Sequence, residues 1–137
     1  MKLYNLMKKF FSNHIIIFYA INSFLIIFYL FPGSLIGWLI FGNLDKQPQI
    51  TRDFIISSNH FYTFLFLTII GFLTFVKSHQ VKPLTLYLIF LSIILELLHF
   101  LIPNRSFEWS DLFGNFLGVV VVIFINNFIN KYEIPKE

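Results

Sequence analysis

The stretch LTLYLIFLSIILELLHFLI, Leu84 to Ile102, decides the class of fold. Its 19 residues carry one carboxylate and one imidazole, and every other side chain is apolar or bears a hydroxyl. That length matches the roughly 20 residues an α-helix needs to cross a hydrocarbon core about 30 Å thick. Three more apolar runs accompany it, Ile15 to Phe31, Phe54 to Val76 and Leu112 to Phe128. Four such runs predict an all-α integral membrane protein, a four-helix bundle with residues 1–137 forming a single domain.

Composition leads to the same class. The 137 residues are 57% hydrophobic, 20% aromatic and only 12% charged, against roughly 25% charged in an ordinary soluble domain. A soluble fold of this size has more surface than core, and ten Lys and Arg with seven Asp and Glu cannot cover it. The 20 Phe side chains are read as lipid compatibility and not as a binding signature. The absence of cysteine excludes disulfides, thiolate nucleophiles and Cys-ligated metals. The basic residues are scattered among short loops, so no contiguous basic face for nucleic acid exists.

Orientation follows from where those basic residues fall. Lys2, Lys8, Lys9, Lys77, Lys82, Lys131 and Lys136 lie on one side of the four spans, and Lys46, Arg52 and Arg105 on the other. Seven against three predicts that both termini are cytoplasmic, in a multi-pass protein of the bacterial inner membrane. The N-terminal lysines and first apolar run resemble a signal peptide, but no small-residue cleavage site follows, so an uncleaved first span is expected. Lys77 to Pro83 is read as a short cytoplasmic turn whose proline starts the third helix. Pro32 to Asp53 admits two readings: a half-buried interfacial segment with Trp38 at headgroup depth, or helix one continuing through Pro32 with a kink.

Ionisable groups inside spans are costly, which makes each one a functional candidate. The densest set is ELLHFLIPNRSFEWSDLFGNFLG, Glu96 to Gly118. Glu96 and His99 are three apart and share a helix face; Asp111 and Asn115 are four apart and share another. The short connection carrying Arg105 makes these helices antiparallel neighbours, and His60 near the outer end of the second span completes one outward-facing polar pocket. Gly114 and Gly118 form a small-xxx-small pattern that admits close approach of another helix, or of a second copy in a homo-oligomer. Asn22 and Ser23, mid-span, suit hydrogen bonds between helices.

This string resembles the VanZ-like family of small bacterial membrane proteins, named after an accessory factor of teicoplanin resistance. Glu96, Arg105, Asp111, Asn115 and Gly118 match the family pattern, with His99 where Gln is common. His60-Phe61 and Gly71-Phe72 are similar to its second-helix signature, with Ser57, Ser58 and Asn59 replacing the usual Asp-Lys. The resemblance covers the second to fourth spans and implies a cell-envelope membrane protein, with an influence on glycopeptide susceptibility.

The leading expectation is a site for the polar or anionic headgroup of a membrane lipid or lipid-linked cell-wall intermediate. Arg105 would contact phosphate or carboxylate, His60 and His99 would donate hydrogen bonds, and Glu96, Asp111 and Asn115 would orient Arg105 or meet hydroxyl and amide groups. A second class is a membrane hydrolase or transferase with Glu96, His99 and Asp111 as acid/base candidates, although no nucleophile motif marks Ser106 or Ser110. The third is a structural polar network in which Arg105 pairs with Asp111 or Glu96. Glu96 and His99 also have the spacing of a di-iron ligand unit, but the further Glu ligands are missing; no metal and no cofactor are expected.

Overall fold

The computed structural model describes residues 2–53 and 55–132. Phe54, which bounds the second apolar run, and Lys136, counted among the cytoplasmic charges, lie outside the described residues. The described chain is all-helical: α1 (Lys2–Asn13), α2 (Ile15–Leu30), α3 (Leu35–Phe41), α4 (Ser58–Thr74), α5 (Ser78–Leu98) and α6 (Trp109–Tyr132). A single 3-10 turn, His99–Leu101, extends α5.

Two stretches are long and apolar enough to cross a membrane, His79–Leu101 and Trp109–Lys131. The pair α1 and α2 makes a third if taken as one span bent by 79°. With 17 residues, α4 extends about 25 Å at 1.5 Å per residue, somewhat less than the hydrocarbon thickness.

Local chemistry sets the helix ends. Phe31 precedes Pro32, whose ring disfavours helical geometry in the residue before it, and Phe31 is extended with ψ 134°. Helix one therefore does not continue through Pro32, and α3 is a separate short helix. Ser34 Oγ caps it by accepting the Gly37 N–H at 2.9 Å, and Gly42 closes it at φ 65°.

The turn ahead of α5 is shorter than the sequence suggests. The helix begins at Ser78, so Pro83 lies inside it instead of at its start. Only one backbone donor is lost there, and the cost is limited because the proline sits within two turns of the N-terminus.

The sequence reading also contains no helix before Ile15, yet Lys2–Asn13 forms α1. Leu3, Leu6, Met7 and Phe10 make an exposed stripe along it at helical spacing.

The helices α4 and α6 run parallel. Ser57 N–H donates to the Ser110 carbonyl at 3.1 Å where both begin. A Cβ on Gly114 would stand 2.8 Å from Ser57 O, and one on Gly118 only 2.5 Å from Phe61 O, so the two backbones are nearly in contact. The partner of these glycines within the chain is thus α4. Between them in sequence, α5 returns in the opposite direction. The first long helix, α2, also opposes α4: Phe18 meets Phe75 at one end, and Tyr29 meets His60 at the other.

Phe64, Leu67, Leu88 and Val119 fill the centre and are fully buried. Their opposite faces carry Leu86, Phe90 and Phe124, each at least 66% exposed, an apolar exterior that suits lipid and not water. Asn22 donates to Tyr87 Oη at 2.6 Å and ties α2 to α5.

The glycine contact predicts an order of stabilities. Gly118→Ala pushes a methyl into the Phe61 carbonyl, whereas Gly71→Ala meets side chains alone, the Phe18 ring edge at 3.2 Å and the Leu84 methyls at 3.4 Å. Thermal unfolding in detergent should show Gly118→Ala destabilised by about 1–3 kcal/mol, and Gly71→Ala by clearly less. Equal midpoints would contradict the close approach of α4 and α6.

Candidate functional site

Glu96 sits on the last full turn of α5 and is fully buried. Its Oε1 accepts the Glu108 N–H at 3.1 Å and lies 3.2 Å from His99 Nδ1. Its Oε2 has no hydrogen-bond partner and stands 3.7 Å from His60 Nδ1. Turning the chain back over this carboxylate takes the segment from Pro103 to Glu108, where Asn104 adopts φ 59°, a left-handed geometry asparagine tolerates better than most residues. The Glu108 amide is thereby brought above Glu96 and α6 starts one residue later.

His99 lies one 3-10 step beyond α5 and is buried. Its Nε2 is 3.1 Å from the Tyr29 carbonyl, which can only accept, so Nε2 carries a proton and donates. Both ring nitrogens are thus engaged, one with α2 and one with Glu96. That leaves His99 poorly suited to shuttle protons, and well suited to lock α2 against the end of α5.

Arg105 is used in the same way. Its Nε donates to Phe31 O and its Nη2 to Phe28 O, both at 3.1 Å, satisfying carbonyls that the end of α2 leaves without helical partners. The expected pairing of Arg105 with Asp111 or Glu96 is not formed. Its charge is spread over the negative end of the α2 dipole instead. Burial pulls the guanidinium below its ordinary pKa, with Tyr29, Glu96 and Asp111 pulling the other way; the group starts so far above neutrality that it stays charged.

His60, on the first turn of α4, is the hub of the remaining contacts. Its Nε2 lies 3.1 Å from Asp111 Oδ2, and its Nδ1 lies 3.1 Å from Asn115 Oδ1 and 3.2 Å from Tyr29 Oη. Tyr29 Oη donates to Asn115 Oδ1 at 2.7 Å. Four helices therefore converge on one imidazole: α2 through Tyr29, α4 through His60 itself, α5 through Glu96, and α6 through Asp111 and Asn115. The closeness of α4 and α6 at Gly114, whose Cβ would stand 3.2 Å from His60 Cβ, brings Asp111 within reach.

Beside this hub is a cavity of about 300 Å³. Its polar wall includes His60, His99, Arg105 and Asn59; Leu25 and Phe28 of α2 supply an apolar wall. Its roof is the segment after α2, with Leu35 and Ile36 of α3 and the chain from Gln47 to Ile50. That segment is held over the site: Asn59 donates to Pro48 O and accepts from Ile50 N–H, and Ser58 Oγ donates to Thr51 O.

The residues singled out from sequence thus divide. His60, His99 and Arg105 line the cavity, whereas Glu96, Asp111 and Asn115 are not in its lining and meet the ring nitrogens of His60. Tyr29 was missed, although a hydroxyl in an otherwise apolar run needs a buried partner and is a readable signal. The roof residues were also missed, and nothing in their order or spacing marks them.

If Tyr29 holds the hub together as described, Tyr29→Phe should leave Asn115 and His60 each short of a bond, lowering stability by about 1–2 kcal/mol in detergent unfolding. An unchanged midpoint would show that the hydroxyl is idle. No protein-family model, curated protein or solved structure matches this chain.

Proposed function

We propose that this is an integral membrane protein that binds the polar or anionic headgroup of a membrane lipid, or of a lipid-linked cell-wall intermediate, in the cavity beside His60. The observation that carries the reading is the lining. Arg105 is the cation of the polar wall and no Asp or Glu among the described residues lines it, while the ring nitrogens of His60 and His99 are already engaged within the hub. Arg105 has its Nε and Nη2 on carbonyls, leaving Nη1 for a ligand oxygen. Apolar Leu25, Phe28 and Ile36 complete the walls, so the lining is amphipathic in the way a lipid is. A volume of about 300 Å³ is at the small end of ligand pockets, enough for a headgroup but not a whole lipid.

In this reading α2, α4, α5 and α6 are the four helices of a membrane bundle with both termini cytoplasmic and the cavity on the outer side of a bacterial inner membrane. The excess of lysine at the other end supports it, as do Trp38 and Trp109, exposed where an aromatic belt would lie. The α1 stripe, bent away from α2 and flanked by Lys2, Lys8 and Lys9, has the character of a helix lying in the inner headgroup layer. On the resemblance of Glu96 to Gly118 to the VanZ-like family, the proposal includes an influence on susceptibility to glycopeptides that act on the envelope. The acid/base reading of Glu96 with His99 is the weaker one, because His99 has both nitrogens engaged.

Purification in native-lipid particles followed by mass spectrometry of the bound lipid tests the proposal. Wild type should retain one anionic lipid class, and Arg105→Gln should retain about tenfold less, the equivalent of one charge-assisted bond. Ile36→Trp, which narrows the cavity without touching its polar wall, should lower retention as well. Unchanged lipid content in both variants overturns the reading.

A further inference from the structure

Two carboxylates, Glu96 and Asp111, stand at the His60 ring together with Tyr29 and Asn115. Glu96 is fully buried, yet Oε2 has no hydrogen-bond partner and is aimed at the imidazole, 3.7 Å from Nδ1. Asp111 Oδ2 is 3.1 Å from Nε2 of the same ring. Among the described residues no Lys or Arg nitrogen comes within 4.0 Å of either carboxylate. The one cation close by in sequence, Arg105, bonds two carbonyls of α2 instead. A fully buried carboxylate oxygen without a hydrogen-bond partner is disfavoured, and Glu96 Oε2 is one.

The ring's own hydrogen bonds sharpen the point. Tyr29 gives its proton to Asn115 Oδ1, so both Tyr29 Oη and Asn115 Oδ1 face Nδ1 of His60 as acceptors, at 3.2 and 3.1 Å. With the Asn115 amide oriented this way Nδ1 donates, and Asn115 Nδ2 is a buried donor without a partner. In a neutral imidazole Nε2 then turns its lone pair toward Asp111 Oδ2, and two lone pairs at that separation attract only with a positive centre between them, a second ring proton or a metal ion. A ligating histidine that donates its other N–H to a fixed acceptor is the usual arrangement around protein-bound metals.

We propose that His60, Glu96 and Asp111 form a site for one first-row divalent cation of the Zn²⁺, Mn²⁺ or Fe²⁺ class. One ligand atom from each residue lies within 4.8 Å of the other two. Ligands held about 2.1 Å from an ion in tetrahedral geometry are roughly 3.4 Å apart, so His60 Nε2 and Asp111 Oδ2 at 3.1 Å are already near that spacing and the Glu96 carboxylate would move in to join them. One imidazole nitrogen and two carboxylate oxygens, with no sulfur, favour these ions over Cu(I), and the nitrogen favours them over Ca²⁺. Two carboxylates match a dication in charge. Three protein ligands leave coordination positions open, the pattern of sites where the ion also holds water or a substrate oxygen.

The ligands come from α4, α5 and α6, so the ion would tie together three helices. The pair that the sequence offers as a ligand unit, Glu96 with His99, is not this site, because His99 is held by the Tyr29 carbonyl. The proposal is independent of what fills the cavity.

The test uses full-length protein in detergent, stripped with chelator and titrated with Zn²⁺ or Mn²⁺ alone. Binding is read by elemental analysis after desalting and by the unfolding temperature. Wild type should take up about one ion per chain and unfold at a higher temperature with it, and Glu96→Gln and Asp111→Asn should each weaken binding by about tenfold or more, the scale of loss usual for substitutions around a metal site. Asp111 is partly exposed, so Asp111→Asn serves as the informative variant if Glu96→Gln fails to fold. Wild type that binds neither ion, or binding that survives Asp111→Asn in a folded sample, overturns the proposal.

Discussion

A carboxylate placed where no water reaches it organises one end of this molecule. Glu96 is fully buried between helices, and a charge in such surroundings persists only if the chain supplies polar partners. The chain does so by folding back on itself. His99 presents its ring from the 3-10 turn, and the Glu108 amide arrives from the start of α6. The hairpin between α5 and α6 is thus shaped around Glu96, and the direction in which α6 departs follows from that contact. His99 then passes the constraint on to α2 through the Tyr29 carbonyl.

The second determinant is the contact between parallel helices α4 and α6. With Gly114 and Gly118 facing Ser57, His60 and Phe61, these backbones approach more closely than any side chain would permit. Close approach without intervening side chains lets short polar groups reach across, and it is why Asp111 and Asn115 both meet the His60 ring. The glycines therefore bear on the polar hub as well as on packing. A larger residue at Gly114 would separate Asp111 from His60 before it disturbed the apolar centre at Phe64 and Val119.

Much of this was legible in sequence, for identifiable reasons. The helical class follows from length and hydropathy, and the nearness of Glu96 and Asp111 at one imidazole follows from a short connection between two apolar runs. What could not be read depended on partners distant in the chain. Arg105 looks like a carboxylate partner because opposite charges are nearby in sequence, but the carbonyls of Phe28 and Phe31 lie more than 70 positions away and leave no mark there. The helix α1 was hidden because its apolar stripe is interrupted by lysines, lowering its mean hydropathy while keeping its periodicity. Pro83 misled because a proline tolerated early in a helix is, in sequence, the same signal as a proline that starts one.

The segregation of charge at the hub bears most directly on what this end of the bundle does. A network serving only to dock helices would pair cations with anions directly, since that lowers the cost of burying both. Here the cation Arg105 is turned to carbonyls and to the cavity, and the anions Glu96 and Asp111 are turned to the other side of His60. His60 touches the two anions and lines the cavity that Arg105 also lines. Such an arrangement leaves Glu96 Oε2 without a hydrogen-bond partner and Arg105 facing the cavity. Helix docking accounts for His99 and for two of Arg105's nitrogens; it does not account for the lone oxygen of Glu96.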